Sequence, residues 1–229
     1  MSVEQPIGER VVAGHARRPG AVTLEGRFAV VEKFDPARHG AAFWAGVEGR
    51  DSLWTYMGNG PFDGEAAFMA WLESRVEVAD PYAYAVVDRR TGAAVGTVSL
   101  METRPAMRVI EMGSIVYAPA LQRTPAATEA QYLAAAYVFD TLGYRRYEWK
   151  CNALNAPSRR AALRLGFTFE GVFRQHMIVK ERNRDTAWFS MLDSEWPARK
   201  RAFERWLDPS NFDADGRQRV GLGNFMHVG

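Results

Sequence analysis

"RVIEMGSIVYAPALQRTPAATEAQYLAAAYVFDTLGYRRYEWKC", residues 108–151, is the stretch that decides the architecture. A run of strand formers (108–118) gives way to a helical pattern, and residues 145–151 read as a short strand again. Ala127, Ala130, Ala134, Tyr137, Val138 and Thr141 recur at helical spacing, and Gly143 is placed to stop the helix. A turn from strand to helix is where backbone N–H groups can hold a phosphate. Such turns lean on glycine, which lets the backbone come close to a ligand. Here "LQRTPAATEA" has no glycine and carries Pro125. With Thr124 as N-cap, Pro125 falls at the first helical position. Its φ suits a helix there, and its missing N–H would have had no intrahelical partner. Arg123, Thr124, Ala126, Ala127 and Thr128 remain to offer N–H groups, and the helix dipole favours an anion.

Working outward, residues 1–21 read as a polar arm and 22–33 as one strand. Asp35 and Pro36 open a helix through "DPARHGAAFWAGV". A second helix places Phe68, Trp71, Leu72 and Val76 on one stripe. Strand-like runs at 82–88, 93–102 and 108–118 form a meander, expected to be antiparallel. Beyond residue 151, "SRRAALRLG" reads as a helix ending at Gly166. Two strands, "FTFEGVFRQHMIVK" and "RDTAWFSML", are joined through "ERN". A final helix, "SEWPARKRAFERWL", precedes a polar tail, 208–229. One α/β domain over 22–207 with a mixed sheet is the simplest account.

Composition narrows the function. The chain has 229 residues, 47% hydrophobic and 24% charged, with net charge +2, too weak a bias to imply nucleic acid. The clusters Arg145-Arg146, Arg159-Arg160 and Arg199-Lys200-Arg201 read first as solvated faces. Cys151 stands alone, which excludes a disulfide framework and fits a packed core thiol. The four histidines show no metal-ligand spacing, so no metal is expected. No run approaches a membrane span, and the first residues do not form a signal peptide, so the expectation is a cytoplasmic protein with no membrane partner. "GLGNFM" lacks the third glycine and the preceding strand of a dinucleotide fingerprint. "MGSIV" is not a nucleophile elbow.

The element order, with four local motifs, resembles the GNAT superfamily of acetyl-CoA-dependent N-acetyltransferases over residues 22–207. The nearest likeness is to the branch of ribosomal-protein N-terminal alanine and serine acetyltransferases. Gln122-Arg123-Thr124-Pro125-Ala126-Ala127 is similar to the family's pyrophosphate loop at its first and last positions. "NALNAPSRRAALRLGFTFEG", 152–171, resembles its N-x-x-S … GF-x-x-EG segment. "IEMG" at 110–113 and "RNRDTAWFSML" near the end match in part. The resemblance implies a mixed, mostly antiparallel sheet with helices on both faces and a splayed parallel strand pair holding acetyl-CoA. The splayed strands would be 108–118 and 145–151. The backbone of Val116 and Ala118 would face the cosubstrate, Asn155 would lie along pantetheine, and Ser158 would lie near the sulfur. The alternative role for Asn155 or Ser158 is to cap the helix.

The implied reaction moves an acetyl group to a primary amine, a peptide N-terminus or a small molecule. An amine mostly protonated at neutral pH must lose a proton. The candidate bases are Glu111, alone on an apolar strand, and His176, which titrates in the useful range; water relay is the alternative. Glu111 also fits a structural ion pair, and His176 an ordinary strand position. Ser158 is the candidate donor to the leaving thiolate, with Tyr137 second. Arg184 and Asp185 read as holding a turn together. Trp44, Trp54, Tyr56, Phe62, Trp71 and Trp188 are candidates for an acceptor groove or for core. A catalytically silent acyl-CoA sensor, a transferase of larger acyl groups and a homodimeric assembly all remain open.

Overall fold

The computed structural model of the protein describes residues 5–226. A hairpin of β1 (Thr23–Glu25) and β2 (Ala29–Lys33) leads to helices α1 (Pro36–Val47) and α2 (Glu65–Val76), with a 3-10 turn at Asp51–Trp54 between them. The meander follows as β3 (Tyr82–Asp88), β4 (Ala94–Arg104) and β5 (Val109–Tyr117). Then come α3 (Pro125–Ala136), β6 (Arg146–Asn152), α4 (Ala156–Arg164), β7 (Thr168–Val179), β8 (Arg182–Leu192), α5 (Trp196–Leu207) and α6 (Leu222–Met226). No helix among the described residues is long and apolar enough to cross a membrane.

The eight strands form one sheet in the order β1-β2-β3-β4-β5-β6-β8-β7. Every neighbouring pair is antiparallel except β5–β6, which is parallel. On one face Phe43, Phe68 and Leu72 of α1 and α2 pack with Ala83, Ala85 and Val87 of β3. On the other, Ala130, Ala134, Phe203 and Trp206 of α3 and α5 join Val86, Val98, Ile110 and Tyr147 in the larger core. This is the mixed sheet, covered on both faces, that the resemblance implied.

The helices start where capping chemistry puts them. Asp35 Oδ1 accepts from the Ala37 N–H at 3.0 Å with Pro36 at the first position. Thr124 Oγ1 accepts from the Ala127 N–H at 3.2 Å with Pro125 behind it. Each cap satisfies a backbone donor that the helix itself leaves unpaired. Beyond α3 a π-helical turn, Tyr137–Leu142, ends at Gly143 in the left-handed conformation.

Three expectations change. The strand read at 22–33 is broken, because Glu129 on α3 accepts the N–H groups of Arg27 (2.8 Å), Phe28 (2.6 Å) and Ala29 (2.8 Å). A Cβ on Gly26 would stand 2.3 Å from that carboxylate, so the turn needs a glycine at its start. The β7–β8 hairpin turns at Lys180 and Glu181, both with positive φ, rather than through "ERN". A two-residue turn of that hand matches strand twist and leaves Arg182 and Asn183 in β8. Residues 208–226, read as a polar tail, pack instead: Phe212, Leu222 and Met226 belong to the larger core. Trp206 Nε1 donates to Gln218 Oε1 at 2.8 Å, and Arg199 donates to the Met226 carbonyl at 2.9 Å. The arm is fastened at its end, where Tyr84 donates to the Gly20 carbonyl at 3.0 Å. Residues 1–4 and 227–229 of those two segments lie outside the described residues.

Removing the Glu129 carboxylate would strand backbone donors that it alone satisfies. Glu129→Ala is expected to lower unfolding stability by about 2–4 kcal/mol in urea titration. A loss within experimental error would contradict this account of the turn.

Candidate active site

β5 and β6 pair over only four residues, from Val109↔Arg146 to Met112↔Trp149. Past that point each strand keeps a different partner. Ser114 takes a left-handed φ of 48°, and the β4–β5 register slips there, with Ser99 facing Gly113 and Thr97 facing Val116. The bulge bends β5 along β4. β6 stays with β8 as far as Asn152↔Thr186. A wedge therefore opens between two strands that were neighbours.

The backbone parity in this wedge differs from expectation. The Ala118 N–H donates to the Val95 carbonyl on β4 at 2.9 Å. Alternation then turns Val116, opposite Thr97, toward β4 as well, and turns Tyr117 toward the wedge. The expected donors Val116 and Ala118 are thus directed away from it, and the Tyr117 N–H replaces them. Gln122, expected in the phosphate loop, donates its side-chain amide to the Tyr117 carbonyl at 2.9 Å. A bulge shifts which residues face which side, and sequence alternation does not announce it.

The loop before α3 meets its task without glycine because Arg123 itself adopts a φ of 62°. Two of the expected donors are spent: the Thr124 N–H donates to Leu121 O at 3.3 Å, and the Ala127 N–H goes to the Thr124 side chain. Thr128, one turn in, is where the intrahelical ladder begins. Arg123 and Ala126 keep N–H groups without a protein partner among the described residues. A further residue, not read from the sequence, joins them: Arg164, the last residue of α4, donates to Thr128 Oγ1 at 2.7 Å. Burial lowers its pKa, and among the described residues no carboxylate lies within ion-pair distance of it. A cation beside the positive end of a helix is unfavourable alone and fits an anion held between the two.

At the start of α4, Asn155 is the N-cap: its Oδ1 accepts from the Ser158 N–H at 3.1 Å, which leaves its Nδ2 donor over. Ser158 Oγ accepts from Trp149 Nε1 at 3.0 Å. The same hydroxyl lies against the buried Cys151 thiol, whose pKa burial pushes up and the Ser158 hydrogen bond pulls down.

Glu111 is 4% exposed, and Lys150 Nζ stands 2.7 Å from its Oε2. Lys150 also lies over the Trp188 ring at 4.7 Å, and His176 meets Trp188 edge-on at 5.9 Å between centroids. His176 Nδ1 is 3.0 Å from Thr186 Oγ1. The two candidate bases, from β5 and β7, are thus linked on one sheet face through Lys150 and Trp188. Burial pushes Glu111 up to about 7 against the pull of Lys150. The neighbouring Glu148 differs, since both Arg104 and Arg146 reach it. Asp185 holds a strand bulge rather than a turn: it accepts from the Gln175 N–H at 2.7 Å, where φ is 49°, one residue before His176.

Of the expected groove aromatics Trp54 is core, and Trp44, Phe62 and Trp71 pack partly buried against it. Trp54 packs on Phe62 at 5.0 Å and on Trp71 at 5.5 Å, and Trp44 packs on Phe68 at 5.2 Å. Tyr56 instead donates to the Leu154 carbonyl at 3.2 Å, and Lys180 donates to the Trp54 carbonyl at 2.9 Å. The segment between α1 and α2 thereby ties the start of α4 to the tip of the β7–β8 hairpin. Trp188 is the aromatic that faces Lys150 and His176.

A sheet that opens at its one parallel pair, beside a helix N-terminus, defines the fold class of the acetyl-CoA-dependent N-acetyltransferases. Comparison with known proteins agrees. The family model described as an acetyltransferase (GNAT) domain matches residues 33–168. A GCN5-related N-acetyltransferase from Brucella melitensis is 48% identical, with a TM-score of 0.91 over 93% of this chain and 97% of its own. A GNAT-family protein from Chromobacterium violaceum is 41% identical, with a TM-score of 0.79 over 86% of this chain and 100% of its own. A ribosomal-protein alanine acetyltransferase from Vibrio fischeri, 18% identical with a TM-score of 0.62 over 76% of this chain and 98% of its own, shares the fold. None of the curated proteins matches. The chain belongs to the GNAT acetyltransferase family.

The protonated form of Glu111 is favoured in the fold, so its contribution to stability falls as pH rises from its ordinary 4.5 to about 7. Glu111→Gln is expected to flatten the decline in unfolding free energy across that window in denaturant titrations. An unchanged slope would place the titration elsewhere.

Proposed function

We propose that the protein transfers an acetyl group from acetyl-CoA to a primary amine by direct attack in a ternary complex. The observation that carries this reading is Glu111, a carboxylate buried near the parting strands with its pKa pushed up to about 7. A base poised near the working pH accepts a proton most effectively. Arg123, Ala126 and Arg164 would hold the phosphates of CoA. The Tyr117 N–H and the free Asn155 amide would line the pantetheine arm. Ser158 would lie near the sulfur.

The amine, once neutral, attacks the thioester carbonyl carbon. Its surplus proton passes to Glu111, directly or through water. The oxyanion takes a hydrogen bond from the wedge-facing backbone, the C–S bond breaks, and the thiolate is met by the Ser158 hydroxyl and protonated. Overall, ammonium and thioester become amide and thiol, with one proton released to solvent. His176, beyond Trp188, would orient the acceptor.

Free-thiol release from acetyl-CoA over a panel of amines tests the reading. Glu111→Gln is expected to lower kcat by roughly 100-fold or more with acetyl-CoA binding retained, and to remove the rise in rate through pH of about 7. Arg164→Ala and Asn155→Ala are expected to weaken CoA binding about tenfold each by calorimetry. Binding of CoA with no turnover on any amine would contradict transfer, and unchanged turnover in Glu111→Gln would remove the base.

A further inference from the structure

We infer that the amine acceptor carries a carboxylate a few bonds from its nitrogen, and that Arg75 of α2 binds it beside the β5 bulge. This deepens the proposed acetyl transfer and rests on it.

Arg75 points inward from α2, and its Nη2 donates to Ser99 Oγ at 3.3 Å. Among the described residues no carboxylate pairs with it. One turn earlier, the buried Trp71 Nε1 has no partner. Arg75, Trp71, Thr97, Ser99 and Ser114 line one cavity together with the apolar Phe34, Leu72 and Ala83. The Thr97 hydroxyl is committed to the Tyr84 carbonyl at 3.0 Å. The Ser114 hydroxyl donates to Met101 Sδ at 4.0 Å. What remains is a guanidinium and an indole N–H, which only donate, with the Ser99 hydroxyl, which can donate. Such a set is complemented by an oxyanion, and the guanidinium fork matches the two oxygens of a carboxylate.

The position suits the reaction. Ser114 is the residue at which β5 leaves β6, and Ser99 lies diagonal to Glu111, since Ser99 faces Gly113 and Met101 faces Glu111. Diagonal neighbours on one face are about 7–8 Å apart. An amino acid zwitterion spans that distance through its hydrogen bonds once the Met101 side chain, which lies over Gly113 between the two, moves aside: the carboxylate meets Arg75 and the ammonium meets Glu111. The enclosed part of the cavity measures about 10 Å³, room for one water, so a lone bridging water is the competing occupant.

Calorimetry of the CoA-bound protein with N-acetyl derivatives of glycine, leucine, phenylalanine and lysine, each against its C-terminal amide, separates the two. The acid is expected to bind at least about tenfold tighter than its amide in one or more pairs. Arg75→Gln should abolish the difference and Arg75→Lys should keep most of it, with CoA affinity unchanged in both variants. Equal affinities, no binding by any probe, or a preference that survives Arg75→Gln overturns the inference. Thiol release with the matching free amino acids and amides completes the test: a binding preference without turnover would sustain the carboxylate site and count against acetyl transfer.

Discussion

The parting of β5 from β6 is the constraint on which the rest depends. Two parallel strands that bond for four residues and then separate expose backbone that nothing else in the sheet satisfies. The separation is held from both sides. The bulge at Ser114 keeps β5 on β4, and seven paired residues keep β6 on β8. Neither strand can close the wedge without giving up its own ladder. The wedge is also placed: α3 begins just beyond β5 and α4 just beyond β6, so both helix N-termini lie at its margins.

Around that wedge the protein carries buried charges that its own structure neutralises incompletely or not at all. Arg164 faces the positive end of α3, and Arg75 lies in the α2 cavity with a serine for company. Glu111 is buried with one cation beside it, while Glu148 next to it has two. Each arrangement costs stability in the free protein and is relieved by a ligand of the opposite charge. Phosphates suit the first, an acid the second and an ammonium the third. The reactants proposed above, a nucleotide thioester and an amine that carries a carboxylate, would meet all three demands.

Local chemistry was legible from sequence. Asp35-Pro36 and Thr124-Pro125 marked helix starts, and Gly143 marked an end, because caps and stops act over a few residues. What escaped was action at a distance. The break at residues 26–28 is imposed by Glu129, about a hundred positions away in sequence. The packing of residues 208–226 depends on α5, whose apolar face offered no sign of a second layer. In the candidate site, the proposed roles of Asn155, Ser158 and Glu111 rest on motifs visible in the sequence. Val116 and Ala118 were assigned the wrong side because one extra residue at a bulge inverts the alternation. Arg164 and Arg75 were hidden among ordinary surface arginines. Their burial with no carboxylate in reach shows only in three dimensions.

Hydrogen–deuterium exchange with and without acetyl-CoA tests the central claim most directly, because a cosubstrate bound in the wedge would cover backbone that the free protein leaves open. The account predicts slowed exchange confined to the end of β5, the loop into α3 and the start of α4, including the amides of Tyr117, Arg123 and Ala126. Protection elsewhere with these amides unchanged would contradict it.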